Sequence, residues 1–266
     1  MTYHHTIFYP AEAELLNEAT KARPRSQSIT TLPSALLLPH ATYSMIGEAL
    51  HQTFIHTPQA KVDLVVFLGP LHQPILPSDE PAFLFTPEGA SFEQAGKTTL
   101  FHPTLLKELR EQFPIHARQY YYEEEPAFEL TLPFIHSYLS PTYLLPLIGR
   151  VEGTKAVTTL AKMMRLIAEC ERNVVFIISA NASDMLPAEE AALAATSLSR
   201  YLHGEKIEAH LLHSCNQGAL AALEYSGVVA GGWKIATRFC KGCEYPDITP
   251  EGEGFMTWHL GAYKGE

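Results

Sequence analysis

The chain has 266 residues, of which 46% are hydrophobic and 18% are charged, and its formal net charge is −10. This composition predicts a globular protein with one large core, and we read residues 1–266 as a single domain. The acidic balance argues against nucleic-acid partners, which need clustered Lys and Arg. No apolar stretch approaches the ~20 residues that span a bilayer, and no export signal is evident at the amino terminus. We therefore expect a cytoplasmic protein without a membrane partner.

The elements predicted in chain order are those of an α/β protein. A short helix follows Pro10, and strand 34–39, helix 43–55 and strand 62–69 then form a βαβ unit. Residues 74–97 are predicted to be largely loop. The remaining elements are helices near 103–113 and from about 126, a strand at 143–148, a helix around 157–167, a strand at 173–179, helices at 187–204 and from Ser214 to about Tyr225, and antiparallel strands near 233–239 and 254–263.

Two strands of the βαβ unit are each followed by a histidine. The apolar run 34–39 leads to His40, and the run 64–71 leads to His72. Parallel strands place their carboxyl ends at one edge of the sheet, which is where α/β proteins bind ligands. If the two strands are neighbours, about 5 Å apart, His40 and His72 would face each other across one crevice.

A third strand end adds a carboxylate to this pair. The run 173–179 continues into Ala-Asn-Ala-Ser-Asp, so that Asp184 completes a set of two histidines and one carboxylate. Such a set leaves open positions on non-haem iron(II), and it also suits zinc. A structural alternative is that Asp184 caps the helix that begins near Pro187.

Cys215 is the candidate nucleophile or thiolate ligand, because a predicted helix start would lower the pKa of its thiol. The alternative is a small residue that covers a helix end. Cys240 and Cys243 have CxxC spacing without a second pair, and their role stays open. Residues 123–125 resemble a solvated acidic patch, but Glu125 and Glu129 share a helical face and could support a ligating imidazole. The sequence has no nucleotide-binding motif, and we expect no nucleotide cofactor.

Five short motifs, taken in order, resemble those of the Memo-like family, whose bacterial and archaeal members are labelled AmmeMemoRadiSam system protein B. The matching segments are Phe8 to Ala11, Pro39 to Tyr43, Leu68 to His72, Thr86 to Gly89 and Glu125 to Phe134. The resemblance runs from about residue 7 to the end of the chain. It implies a fold like that of the class III extradiol dioxygenases, with a mainly parallel central sheet flanked by helices.

The resemblance also implies a metal site. Some members of this family bind iron or copper through histidines and a cysteine, which correspond here to His40, His72 and Cys215. The family's third histidine falls on Asp184 and its aspartate falls on Asn181, which we therefore count as a supporting residue. Further departures from the family pattern are Thr42, Pro126, Ala127 and Thr131.

These residues leave two functions open. The first is a metal-binding oxidoreductase, dioxygenase-like, that uses Fe²⁺, with copper or zinc as alternatives, on a small molecule. The second is a non-catalytic binding or scaffold protein with a degenerate site that recognises a small molecule or a peptide. A cysteine-dependent hydrolase that uses Cys215 is a third hypothesis. Whether the chain forms a homo-oligomer is open.

Overall fold

The computed structural model of the protein describes residues 3–26, 31–183, 185–241 and 255–265. These residues form a single α/β domain in which a large, mainly parallel sheet is flanked by helices, so the predicted fold class is confirmed. No helix within these ranges has both the length and the apolar character that a membrane span requires.

The described helices lie close to the predicted positions, except one at 119–124, which the sequence did not predict. In the described part of the chain they are α1 (Ala13–Ala19), α2 (Tyr43–Phe54), α3 (Pro103–Gln112), α4 (Gln119–Glu124), α5 (Ala127–Tyr138), α6 (Gly153–Cys170), α7 (Ala188–Leu202) and α8 (Gln217–Ser226). Helix α2 buries Ile46, Leu50 and Phe54, the apolar stripe that its sequence predicts.

The strands are β1 (Ala35–Leu38), β2 (Leu64–Pro70), β3 (Leu84–Thr86), β4 (Ser91–Gln94), β5 (Lys97–Leu100), β6 (Ile115–Ala117), β7 (Tyr143–Gly149), β8 (Val174–Ser179), β9 (Leu186–Pro187), β10 (Gly232–Lys241) and β11 (Phe255–Gly265). Within the described ranges the main sheet has the order β10-β11-β1-β8-β2-β7-β3-β6, and β9 pairs with β11. Strands β10 and β11 are antiparallel, as predicted for this part of the chain.

The centre of the sheet consists of β1, β8, β2 and β7, which are parallel to one another. Every residue of β1 and β2 is buried. Burial on both faces explains why these strands are continuous apolar runs instead of alternating patterns. The carboxyl ends of all four strands therefore lie at the same edge of the domain.

The two strands that precede His40 and His72, β1 and β2, are not neighbours. Strand β8 lies between them and pairs in parallel with both. The crossover through α2 therefore skips one strand position, and the chain fills that position only after about 100 further residues, with β8. A sequence pattern that identifies a βαβ unit does not reveal such an insertion.

Strand β7 contains an internal proline, Pro146, a residue that is usually confined to edge strands and bulges. It lies inside the sheet, between β2 and β3. Strand β3 pairs with β7 only at Ile148 and Gly149, so a proline before that point is tolerated on the side of β3. The predicted loop 74–97 contains β3 and β4, and its last residue, Lys97, begins β5, which forms a hairpin with β4.

Candidate metal centre

The candidate site lies where β1, β2 and β8 end. His40 is two residues beyond the end of β1, His72 is two residues beyond β2, and Asn181 is two residues beyond β8. The rings of His40 and His72 have their centroids 5.4 Å apart. The sequence therefore placed both histidines at the correct edge, although their strands are not adjacent.

The side chain of His40 is fixed through its Nδ1 atom, which lies 2.9 Å from Ser179 Oγ at the end of β8. Its backbone is held by the amide of Asn181, which accepts from His40 N–H at 3.0 Å and donates to His40 C=O at 3.0 Å. An ionised aspartate could not make the second hydrogen bond, because it has no donor. These contacts leave His40 Nε2 directed away from Ser179 and available as a ligand atom.

His72 is oriented by Glu125, whose side chain is 1% exposed. Glu125 Oε2 lies 2.6 Å from His72 Nδ1 and 3.3 Å from His72 N, and Oε1 accepts from Ala127 N–H at 3.2 Å. A carboxylate at Nδ1 keeps a proton there and leaves Nε2 free to bind a metal. Glu125 therefore has the supporting contact that the sequence predicts, and it does not belong to a solvated patch.

Cys215 is placed by its neighbour Asn216. The Asn216 amide donates to the carbonyl groups of Leu68 in β2 and Ser179 in β8, at 3.0 and 3.1 Å. Cys215 Sγ then lies 3.5 Å from His40 Nε2 and accepts from Asn181 N–H at 3.3 Å. The segment before α8 is thus tied directly to two strand ends.

The three residues could hold a metal ion. One ligand atom each from His40, His72 and Cys215 lies within 4.8 Å of the others. Tetrahedral bonding at the usual metal–nitrogen and metal–sulfur distances separates N from S by about 3.6 Å. The observed separation of 3.5 Å between His40 Nε2 and Cys215 Sγ agrees with that geometry.

The site couples the proton equilibria of its members. Burial alone would raise the pKa of Cys215, but His40, His72 and Asn181 N–H lower it to about 7. Hydrogen bonds to Cys215 and Glu125 raise the pKa of His72 to about 10. For His40, the opposing effect of burial is exceeded by Cys215, and its pKa is also raised. Without a metal, the arrangement favours a thiolate beside a protonated imidazole.

Sequence reasoning did not identify His259, a residue of β11 that is 1% exposed. Its Nδ1 atom lies 3.2 Å from Asn181 Oδ1. Burial and the nearby His40 lower the pKa of His259 to about 4, so its ring is neutral at physiological pH. The residue lies 78 positions beyond Asn181, and no local pattern connects them. Ser179 could not be predicted as a residue of the site either, because it is the last residue of an apolar run.

The other predicted site residues lie elsewhere or outside the described residues. Glu129 accepts hydrogen bonds from Tyr3 N–H, His4 N–H and Tyr9 O–H. Its carboxylate therefore binds the amino-terminal segment and not a histidine of the candidate metal site. Asp184 lies outside the described residues, as do Cys243 and the side chain of Cys240.

Ser214, the predicted first residue of the last helix, lies before α8 and does not cap it. The helix begins at Gln217, and the residue at the capping position is Asn216. Cys215 therefore precedes the first helical turn, and the interaction that lowers its pKa is the one with His40. The hydroxyl group of Ser214 is buried without a hydrogen-bond partner among the described residues.

A cleft with a volume of about 810 Å³ opens beside the three residues. His72 and Cys215 contribute to its wall, together with the starts of α6 and α8. Most of the remaining wall is apolar, and it includes Val157, Leu198, Leu212, Tyr201 and Tyr225. This volume lies in the range of small-molecule sites, about 300–1,000 Å³.

Comparison with known proteins places the chain in one family. The sequence model described as "Memo-like protein" matches residues 4–200, which include His40, His72 and Glu125 but end before Cys215. No curated protein matches the chain. A solved structure, titled as the uncharacterized protein JW3007 from Escherichia coli K12, is similar with a TM-score of 0.52 and 12% identity, over 88% of this chain and 100% of that one. That likeness concerns the fold.

Gly218 fixes the position of the Cys215 segment, because a Cβ atom there would collide with the carbonyl oxygen of Val151. We expect Gly218→Ala to lower the free energy of unfolding by about 2–3 kcal/mol and to displace Cys215. Denaturant unfolding and the alkylation rate of Cys215 measure the two effects. Gly47→Ala in α2 is the control, since its Cβ would have space and should stabilise the helix by about 0.5–1 kcal/mol. Equal effects of both substitutions would contradict the close contact.

The pKa of Cys215 predicts its reactivity. After metal removal by a chelator, alkylation by iodoacetamide should increase with pH around a midpoint near 7. His40→Gln removes the largest stabilising interaction of the thiolate, and the midpoint should rise toward the ordinary value of 9.0. Mass spectrometry of the Cys215 peptide measures the rates, and the exposed Cys170 controls for the reagent. A midpoint that does not respond to His40→Gln would show that the two side chains are uncoupled.

Proposed function

Because the chain belongs to the Memo-like protein family, we propose that it is a metal-binding protein in which His40, His72 and Cys215 hold one transition-metal ion. The observation that carries the proposal is the convergence of the three ligand atoms at one edge of the sheet. Ser179, Glu125 and Asn181 support it, because each of them holds one ligand residue by a hydrogen bond.

The donor set limits the choice of metal. Two imidazoles and a thiolate suit copper and zinc, and two imidazoles with a carboxylate suit non-haem iron(II). Iron(II) is our first choice, with Asp184 as the carboxylate in addition to Cys215. Copper and zinc are the alternatives if the three described residues bind alone.

We propose further that the protein is an oxidoreductase, dioxygenase-like, that acts on a small molecule in the adjoining cleft. A bound iron or copper ion would supply the redox chemistry and open coordination positions. Glu125 would keep the proton on His72 Nδ1, so that Nε2 stays a ligand. The reducing cytoplasm that the sequence predicts would keep the thiol of Cys215 available.

A binding or scaffold protein with a degenerate site is the second candidate. The residues that favour it are Pro126, Asn181 and Asp184, which replace a histidine, an aspartate and a histidine of the family pattern. Asn181 uses both ends of its amide to hold His40, which is a structural task that needs no metal. Metal content and oxygen consumption separate the two candidates.

Metal analysis of the purified full-length protein tests the first proposal. We expect close to one equivalent of iron, copper or zinc in the wild type, and a loss of at least about tenfold in affinity in His40→Ala, His72→Ala and Cys215→Ala. His213→Ala is the matched control, because His213 lies only two residues from Cys215 in the chain and its side chain is exposed. Equal metal content in all variants would refute metal binding at this site.

The supporting role of Glu125 is tested in the same measurement. Glu125→Gln retains the shape of the side chain but weakens the hold on the His72 proton, and we expect metal affinity to fall about 10–100-fold. Glu124→Gln provides the control, since that neighbouring carboxylate is exposed. Similar affinities in the two variants would show that Glu125 serves only the fold.

Oxygen consumption tests the oxidoreductase assignment. With iron-loaded protein and catechol as the probe, we expect oxygen uptake in the wild type that exceeds the rate in His40→Ala at least about tenfold. An oxygen electrode measures both rates at equal concentrations of protein and added metal. Uptake that does not depend on His40 would come from free metal, and it would favour the non-catalytic candidate.

A further inference from the structure

The residues that line the cleft beside His72 and Cys215 indicate which kind of ligand it binds. Arg150 directly follows β7, and His72 follows β2, the parallel neighbour of β7. Both side chains therefore enter the cleft from the same edge of the sheet. Among the described lining residues, Arg150, Glu152 and the members of the candidate metal site are the ones that can carry a charge.

The side chain of Arg150 has hydrogen-bond donors that are not used within the described part of the chain. Its nearest acidic group is Glu152, with 3.7 Å between Arg150 Nε and Glu152 Oε1. This separation is too long for a hydrogen bond, and the side chain of Glu152 is 77% exposed. An exposed ion pair of this kind contributes little to the stability of the fold. The guanidinium thus makes no side-chain hydrogen bond within the described part of the chain and can accept a second anion.

Two helices begin at the cleft, and both starts are uncapped. Neither Glu152 before α6 nor Asn216 before α8 makes a capping hydrogen bond with its side chain. The first turns of α6 and α8 contain no acidic residue. Helix starts carry partial positive charge and unpaired N–H groups, which favour an anion.

An independent observation at the same place is the hydroxyl group of Ser214. Ser214 is 6% exposed and lines the cleft, and its Oγ atom has no partner among the described residues. A buried hydroxyl without a partner destabilises the folded state. Within the described residues seven buried side-chain polar atoms lack a partner, and Ser214 Oγ is the one among them that belongs to a residue of the cleft. A bound ligand with a hydrogen-bond acceptor would satisfy it.

We propose that the cleft binds a small organic anion with an apolar body. Its anionic group would lie at Arg150 and the uncapped helix starts, with Ser214 Oγ as a further donor. Its apolar body would contact Val157, Leu198 and Tyr201. As the substrate site of a metal-dependent oxidoreductase, this assignment rests on the proposed function; as a binding site, it can be tested separately.

The test uses three aromatic probes on the full-length protein as purified. They are 3-phenylpropionate, its neutral analogue 3-phenylpropionamide, and phenyl phosphate, and calorimetry measures their affinities. We expect at least one anion to bind about tenfold or more tightly than the amide. The stronger of the two anions identifies the acid as a carboxylate or a phosphate. Equal affinities for anions and amide, or no binding of either anion at about 10 mM, would overturn the proposal.

Variants locate the anion. Arg150→Gln should abolish the preference for the anion over the amide, whereas Arg172→Gln, an exposed arginine outside the cleft, should retain it. Glu152→Gln should strengthen anion binding a few-fold, since it removes the competing carboxylate. A weaker affinity for the anion in Glu152→Gln would show that the Glu152 carboxylate does not compete with the anion for Arg150, and it would overturn the proposal.

The Ser214→Ala variant shows whether the Ser214 hydroxyl contacts the ligand or only stabilises the fold. We expect this variant to bind the anion several-fold more weakly, while its unfolding midpoint stays equal to that of the wild type or rises. A lower midpoint with unchanged affinity would contradict the assignment of Ser214.

Metal content of the same samples distinguishes the two proposals. In the wild type, absence of an anion preference with the metal bound would refute the present inference alone. Absence of metal with the anion preference retained would refute the proposed function alone.

Discussion

Asn181 is the residue on which the geometry of the site depends. Its amide binds both backbone polar groups of His40, and its own N–H contacts Cys215 Sγ. It follows β8, the strand that separates β1 from β2. The position between the two histidine-bearing strands therefore holds a residue that bridges to the ligands, and an amide is the side chain that can both donate and accept there.

The sequence predicted the main part of this arrangement for a sound physical reason. Parallel strands buried on both faces are recognisable as apolar runs, and a polar residue after such a run lies at the ligand-binding edge. His40 and His72 are found in this way, whereas the pattern pointed to Asp184 after the third strand and Asn181 was counted as a supporting residue only through the family resemblance. What the pattern could not provide was the strand order, because pairing between β1 and β8 joins residues about 140 positions apart. The histidine rings approach each other beyond the strands, where the chain is no longer bound to the spacing of the sheet.

The remaining contacts depend on tertiary structure alone. Cys215 was singled out for a helix start that begins two residues later, and its pKa is lowered by His40, 175 positions away in the chain. His259 reaches Asn181 from β11, which joins the sheet beside β1 by antiparallel pairing. The sequence predicts Glu125 and Glu129 on one helical face, but Glu125 lies between α4 and α5 in an extended conformation, and only Glu129 belongs to a helix. Glu125 binds His72, whereas Glu129 binds the amino-terminal segment. Helical periodicity therefore does not identify the partners of the two carboxylates.

The charges on the two sides of the site differ in sign and favour different ligands. On the inner side, Glu125 is almost fully buried and its pKa is lowered by His72 despite the cost of burial. A negative charge is thus fixed behind the ligands, where it favours a cation between His40, His72 and Cys215. On the outer side, the cleft presents Arg150, two uncapped helix starts and an unpaired hydroxyl. A cation held by the inner groups would add to the positive potential of the cleft, so metal binding and anion binding should reinforce each other.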